Sequence, residues 1–190
     1  MEKILNRIFD IFLALFFILL LIPFIFLIFF LIKISSKGPV IYWSKRIGKH
    51  GKLFLMPKFR TMLIGTEVVA TNKLTNSKKK ITLVGKFLRR FSLDEVLQFY
   101  SVLKGEMSIV GPRPALHNQK YLIKRRRKLG IDEINPGITG LAQINGRDII
   151  SINKKIYYDY KYLLKKNFIL DLIIILKTLY IIFDFKKIKH

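Results

Sequence analysis

From Ile11 to Ile32 the chain runs through 22 residues without one charged or polar side chain. At 1.5 Å per residue a helix of that length measures about 33 Å, enough to cross the hydrocarbon core of a bilayer. The run is too long for the core of a signal peptide and carries no small-residue cleavage pattern, so it is expected to stay on the protein as an anchor. Pro23 lies inside it and leaves the Leu19 carbonyl without its helical donor, which predicts a break or a kink there. Lys3 and Arg7 precede the run and Lys33, Lys37, Lys45 and Arg46 follow it, so both flanks are basic and the positive-inside rule points neither way. Two solutions fit: an ordinary kinked transmembrane helix, or a re-entrant helix that turns at Pro23 with both ends in the cytoplasm.

After residue 36 the pattern shortens. Pro39 to Ser44 and Lys52 to Met56 read as two strands of a hairpin around a Gly48-Lys49-His50-Gly51 turn, followed by Lys58-Phe59-Arg60-Thr61-Met62. Lys58 and Arg60 fall on one face of such a strand. From Leu63 to Thr82 the composition turns polar and ends in a Lys78-Lys79-Lys80 run, the pattern of a loop or flap. Tyr121 to Leu129 is a basic helical segment, read as an exposed face or a contact with lipid headgroups. Phe168 to Phe185 is apolar, but Asp171, Lys177 and Asp184 interrupt it. Charges at that spacing predict a helix half-buried in the domain or lying at a membrane interface rather than a second span. The chain thus divides into an anchor, residues 1–36, and a domain, residues 37–190.

Composition supports a membrane surface. Lys and Arg total 35 against 12 Asp and Glu, a net charge of +23, while 51% of residues are hydrophobic. High charge on a hydrophobic chain suits a bilayer rich in anionic lipid, whereas a disordered chain would be hydrophobe-poor. No zinc spacing, basic zipper or aromatic RNA motif accompanies the charge, so no nucleic-acid partner is expected. There is no cysteine, hence no disulfide framework, and His50, His117 and His190 lie far apart without ligand spacing.

The candidate chemistry lies in the middle. Ser92 followed three residues later by Glu95 has the form of a capping box, so a helix is predicted to begin at Leu93 and stop near Gly105. Asp94 and Glu95 then fall in its first turn, where the helix dipole favours ionised carboxylates. Arg89 and Arg90 sit just upstream, and Arg113 follows between Pro112 and Pro114. Two carboxylates ringed by guanidiniums suit a site that handles phosphate. The plainer alternative is that Glu95 only caps and Asp94 only complements the dipole. Pro136-Gly137-Ile138-Thr139-Gly140-Leu141-Ala142-Gln143-Ile144-Asn145-Gly146-Arg147 forces tight turns and close backbone approach, as an anion or sugar pocket requires, or as a structural loop would.

Five of these segments, Lys58-Phe59-Arg60-Thr61-Met62, Ser92-Leu93-Asp94-Glu95, Val110-Gly111-Pro112-Arg113-Pro114, Pro136-Gly137-Ile138-Thr139-Gly140 and Asn145-Gly146-Arg147, occur in the order found in one family. Together they make the chain resemble the bacterial sugar transferases, the monotopic polyprenyl-phosphate phosphoglycosyl transferases. The resemblance implies an α+β enzyme on the cytoplasmic face of the bacterial inner membrane, with a re-entrant N-terminal helix, a small and mostly helical catalytic domain, a β-hairpin and interfacial amphipathic helices. It implies transfer of a sugar-1-phosphate from a UDP-sugar to polyprenyl phosphate with release of UMP, the residue matching Asp94 acting as nucleophile and the one matching Glu95 as its partner. Mg²⁺ would be held at Asp94 and Glu95. Arg113 and Arg89 become the leading phosphate contacts, and Arg147, Lys58, Arg60 and Gln143 further substrate-binding candidates.

The chain departs from the family pattern in two places. Ile22 precedes Pro23 where members often have serine, and Leu97 stands where a proline is usual before Gln98. Gly65 to Thr71 with Ala115 to Gln119 resembles a subgroup associated with amino-sugar donors. A basic, non-catalytic membrane-surface protein that binds anionic lipid or a partner would explain the charge and both apolar segments, but not Asp94 and Glu95 beside arginines.

Overall fold

The apolar run folds into α1 (Glu2–Ser35), a continuous helix with Pro23 inside it. In this computed structural model residues 2–67, 80–146 and 149–183 are described. The side chains of α1 that turn inward are Arg7, Asp10, Ala14, Phe17, Leu21, Ile25, Ile28 and Ile32. Their spacing of three and four residues makes one stripe along a 3.6-residue helix. Arg7 donates to the carbonyls of Val102 at 2.7 Å and Leu103 at 2.9 Å. Asp10 accepts the Ile109 N–H at 2.9 Å, and Phe17 stacks on Phe99 with ring centres 5.3 Å apart. Further along, Ile28 and Ile32 close a cluster with Val40, Phe59 and Leu88. Both halves of α1 therefore rest on the same domain, while Phe12, Phe16, Leu19, Leu20, Phe24, Phe26 and Phe30 face outward.

Strand β1 (Ile41–Ile47) pairs antiparallel with β2 (Leu53–Phe59) around the expected turn, with Tyr42 opposite Lys58, Ser44 opposite Met56 and Arg46 opposite Phe54. Helix α2 (Leu83–Arg90) is capped by Thr82, whose hydroxyl accepts the Gly85 N–H at 2.9 Å. Helix α3 (Gln98–Leu103) leads to β3 (Ser108–Val110), and β4 (Ala115–Leu116) extends the hairpin sheet in the order β2-β1-β4. Helix α4 (Lys120–Lys128) follows, then β5 (Gly137–Thr139), which pairs parallel with β3. The β3–β5 junction brings backbones so close that a Cβ on Gly137 would lie 2.1 Å from the Gly111 nitrogen. The glycines expected to permit close approach do so here, for strand packing.

Helices α5 (Leu141–Ile144), α6 (Ile152–Lys165) and α7 (Phe168–Phe183) complete the domain. Ala14, Phe54, Met56, Val102, Met107, Ile109, Tyr162 and Ile174 form its main core, so α1 and α7 are both built into it. Helix α7 is half-buried as expected: Ile174 is inside, whereas Ile169, Leu172, Ile173, Leu176 and Tyr180 are exposed. Among the described residues α1 is the one helix long and apolar enough to cross a membrane.

Two hydroxyl contacts fix α7. The Thr139 and Thr178 hydroxyls lie 2.6 Å apart, and Tyr162 donates to Asp171 Oδ1 at 2.7 Å. Burial lifts the Asp171 carboxyl from 3.8 to about 6, against the lowering effect of the Tyr162 hydrogen bond and with help from the charge of Asp10. A carboxyl with a raised folded-state pKa binds its proton more tightly folded than unfolded, so its contribution to stability is present below about pH 4 and lost as pH rises through about 6. Asp171→Asn keeps an acceptor for Tyr162 and cannot ionise. Thermal unfolding of the detergent-solubilised protein across pH 4 to 7 should therefore show a shallower decline for the variant than for the wild type.

Candidate active site

The antiparallel register puts Tyr42, Ser44 and Arg46 of β1 and Lys58 of β2 on one face of the hairpin. That face floors a cavity of about 410 Å³, closed by Arg89 from the end of α2, Asp94 and Glu95, the Arg113-Pro114 turn, and Gln119, Leu122 and Arg126 near and within α4. Arg46, Lys58, Arg60, Arg89, Arg113, Arg126 and Lys155 line it together with the carboxylates Glu67, Asp94 and Glu95. Asp94 and Glu95 are only 6% and 7% exposed. Such a lining is cationic around a small acidic centre, which suits a polyanionic ligand.

The local structure at the carboxylates differs from the sequence expectation. Leu93–Glu95 is a single 3-10 turn, and the α-helix begins at Gln98. Ser92 makes no capping bond; it occupies the left-handed region at φ 56°, where a non-glycine residue is strained. No capping box forms because Glu95 has a stronger partner. Arg113 donates to both of its oxygens, Nη2 to Oε1 at 2.5 Å and Nη1 to Oε2 at 3.1 Å. This two-pronged, charge-assisted contact outweighs a carboxylate bond to a single peptide N–H. Each of those guanidinium nitrogens carries a second N–H that Glu95 does not use.

Two buried arginines hold the Arg113 turn from behind. Arg126 donates from Nη1 to the Arg113 carbonyl at 2.8 Å and from Nε and Nη2 to Asp159 of α6 at 3.0 and 2.6 Å. Arg46 donates from Nη1 to the Pro114 carbonyl at 2.9 Å and from Nε to Ser44 at 3.0 Å. Removing Asp159 would leave a buried guanidinium uncompensated, a loss of about 3–5 kcal/mol, whereas an exposed pair such as Lys104–Glu106 is screened by water. Neither Arg46, Arg126 nor Asp159 stands out in the sequence. Arg46 could have been found from its parity with Ser44 on β1; Arg126 hides in a basic run whose other members, Lys124, Arg125, Arg127 and Lys128, are exposed.

The remaining candidates separate. Lys58 is drawn into the site: burial pulls its ammonium down from 10.5 to about 8, with Glu95 and Asp94 supporting the charged form and Arg46 and Arg113 opposing it. Arg89 lines the cavity. Arg60 also borders it, but its two terminal nitrogens are engaged just past the end of α1, Nη1 donating to the Lys37 carbonyl at 2.7 Å and Nη2 to the Ser36 carbonyl and hydroxyl at 3.0 Å each. Gln143 lies away from the cavity, on α5 beside Gly140. Arg147 falls outside the described residues, as does 68–79 of the polar loop.

Among the described residues no cluster of three or more His, Cys, Asp or Glu side chains could cage a metal ion. A magnesium ion does not need one, because it is commonly held by one or two carboxylates with substrate phosphates completing its shell. Asp94 and Glu95, adjacent in the cavity wall, meet that requirement.

Comparison with known proteins places the chain among sugar transferases. The bacterial sugar transferase family profile matches residues 1–185. The UDP-glucose:undecaprenyl-phosphate glucose-1-phosphate transferase of Klebsiella pneumoniae is 38% identical over 186 residues, covering 94% of this chain and 40% of the relative. The exopolysaccharide production protein ExoY of Rhizobium meliloti is 37% identical over 190 residues, covering 92% and 83%. The undecaprenyl-phosphate galactose phosphotransferase of Salmonella typhimurium is 32% identical over 203 residues, covering 93% and 40%. The chain thus spans about two fifths of the two transferases and most of the exopolysaccharide protein. With its profile match running from the first turn of α1 to the end of α7, this chain belongs to the bacterial sugar transferase family.

Proposed function

We propose that the protein transfers a sugar-1-phosphate from a UDP-sugar to polyprenyl phosphate, releasing UMP and forming a polyprenyl-diphosphate-sugar, the first membrane step of surface glycan assembly. The observation that carries this reading is Asp94, buried in the wall of a cationic cavity that also holds Lys58 and the Glu95–Arg113 pair. The names of the relatives point to undecaprenyl phosphate as acceptor and, in two of them, to glucose or galactose as the sugar. The amino-sugar association rests on segments of which Gly65, Thr66, Glu67, Ala115, Leu116 and Gln119 line the cavity, so plain and N-acetylated donors both belong in a substrate panel.

In the proposed reaction an Asp94 carboxylate oxygen attacks the phosphorus that bears the sugar. A bond forms from carboxylate to phosphorus, the phosphoanhydride bond breaks, and its electron pair leaves with UMP. The lipid phosphate then attacks the same phosphorus and Asp94 departs as carboxylate, so no net proton is moved. Splitting the transfer in this way avoids holding two polyanions at one centre. Arg113 and Lys58 contact the pyrophosphate and stabilise charge on the departing phosphate; Glu95 orients the Arg113 fork. Mg²⁺, when bound at Asp94 and Glu95, would supply further neutralisation of the leaving group.

Residues 1–36 serve as the anchor and 37–190 as the catalytic domain, in our reading on the cytoplasmic face of the inner membrane. The packing of α1 favours both of its ends lying on the cytoplasmic side, with the helix running unbroken through Pro23 rather than turning there. Arg7 and Ile32 would lie about 38 Å apart on a straight helix, yet both touch the same domain. A spanning helix would draw that domain, with Asp10 and its polar backbone contacts, into the hydrocarbon. The exposed basic residues of α4 and the +23 net charge suit anionic headgroups.

Three outcomes are expected. With saturating chelator, UMP release should stop and return on adding Mg²⁺; full activity in excess chelator would remove the metal from the mechanism. Single cysteines placed near residues 2 and 37 should both resist an impermeant periplasmic thiol reagent, and labelling near residue 2 alone would establish a spanning helix. Without acceptor, wild-type enzyme given UDP-sugar and Mg²⁺ should release at most one UMP per site and show a phosphosugar adduct on Asp94 by mass spectrometry. Asp94→Asn should form no adduct and lose at least about 10³-fold in turnover. Adduct formation by that variant, or UMP appearing only once acceptor is added, would favour direct attack by the lipid phosphate. A non-catalytic lipid-binding protein would release no UMP with any donor.

A further inference from the structure

The strand register gives the cavity two ends of different chemistry. Tyr42, Ser44 and Arg46 mark successive points on its floor, and the four residue steps from first to last span roughly 13 Å. At the Arg46 end, where β4 joins β1, the wall is Gln119, Arg126 and Lys155 around Leu122. Beyond the Tyr42–Lys58 end it is Pro39, Met62, Leu63 and Ile64.

Leu63 and Ile64 are 50% and 67% exposed although they line the same cavity as Asp94 and Glu95. The Ile64 side chain lies over Gly38, where a Cβ would stand 2.4 Å from its Cδ1, and Arg60 ties this edge to the carbonyls of Ser36 and Lys37, just past the end of α1. The apolar lip therefore lies beside the segment that leaves α1 on one side and next to the cationic floor at Lys58 on the other.

We infer that this lip is the entry for the isoprenoid chain of the lipid acceptor, so that the lipid phosphate reaches Asp94 from the α1 end while the nucleotide-sugar occupies the Arg46 end. The inference rests on the acceptor reading proposed above. A lipid phosphate must keep its chain in hydrocarbon until its headgroup meets a cation, and the isoprene units nearest the phosphate must leave the bilayer to do so. Leaving them exposed to water costs free energy in proportion to their apolar area, which Leu63 and Ile64 would cover. The lip faces into the cavity, where an anchor dipping into lipid would have no need to line it.

The test uses full-length enzyme in detergent micelles, with UMP release as readout and undecaprenyl phosphate and UDP-sugar varied separately. The double variant Leu63→Asn with Ile64→Asn should raise KM for undecaprenyl phosphate about tenfold or more and leave KM for the UDP-sugar within about twofold. Leu63→Met with Ile64→Met, which keeps the lip apolar, should retain the wild-type KM for the lipid. Leu164→Asn, a loss of an exposed leucine on α6 outside the cavity, should do the same. An unchanged lipid KM in the asparagine variant, or an equal rise for the UDP-sugar, would overturn the inference. So would a defect seen only in membranes that tracks loss of protein from the membrane fraction, because the lip would then be an anchor. Wild-type enzyme that releases no UMP with any donor would instead overturn the functional reading, and the acceptor path with it.

Discussion

Two carboxylates buried side by side are tolerated only if their charge is answered, and at this site the Arg113 fork on Glu95 is one such answer. The contact is directional as well as electrostatic, so Arg113 must be delivered to one place. Flanking prolines fix its backbone, and the carbonyls of Arg113 and Pro114 are each gripped by a buried arginine. Those arginines belong to α4 and β1, and Arg126 reaches on to Asp159 in α6. Four parts of the chain are thereby fastened to the position of one guanidinium. Buried pairs of this kind add little net stability over an apolar filling, but they penalise any arrangement in which a partner is missing.

The anchor shows how far pattern reading reaches. Length and the lack of charge between Ile11 and Ile32 were enough to identify a helix long and apolar enough to cross a membrane. Its inward face was not legible, because every position from 11 to 32 is apolar and carries no periodicity to read. The polar residues just outside the run disclose that face: Arg7 and Asp10 both bond backbone groups of the α3–β3 region. Continued at helical spacing, they point along Ala14 and Phe17 to Ile32.

At the site, short-range signals and long-range ones fared differently. Asp94, Glu95, Lys58, Arg89 and Arg113 sit in local motifs, and the fold brings all five to one cavity. Arg126 and Asp159 are 33 residues apart and Arg46 and Pro114 are 68 apart. Pairings at that separation leave no mark in one sequence. Arg60 was only partly legible for a related reason: strand parity put it beside Lys58 at the cavity, but only the fold reveals that the segment following α1 also engages it. The capping box failed because Glu95 had a competitor distant in sequence, and a local motif holds only when no tertiary partner offers more.

That failure changes the physical account of Asp94. A single 3-10 turn has too few aligned peptides to supply the dipole of a full helix end. Electrostatic support for Asp94 then draws on nearby side chains, among them Lys58, whose ammonium Asp94 and Glu95 in turn help to keep charged. Support of that kind has a consequence a helix dipole would not have. The dipole is fixed, whereas a cation shared between a carboxylate and a phosphate is drawn toward whichever carries more charge. In the proposed reaction the arriving pyrophosphate would take part of the field that holds Asp94, leaving its oxygen a better nucleophile just when the phosphorus is in reach. The same cations would then face the departing phosphate. Preorganised groups aimed at developing charge are the strongest resource a site of this type has, and the strained Ser92 turn that replaces the helix end is what sets Asp94 among them.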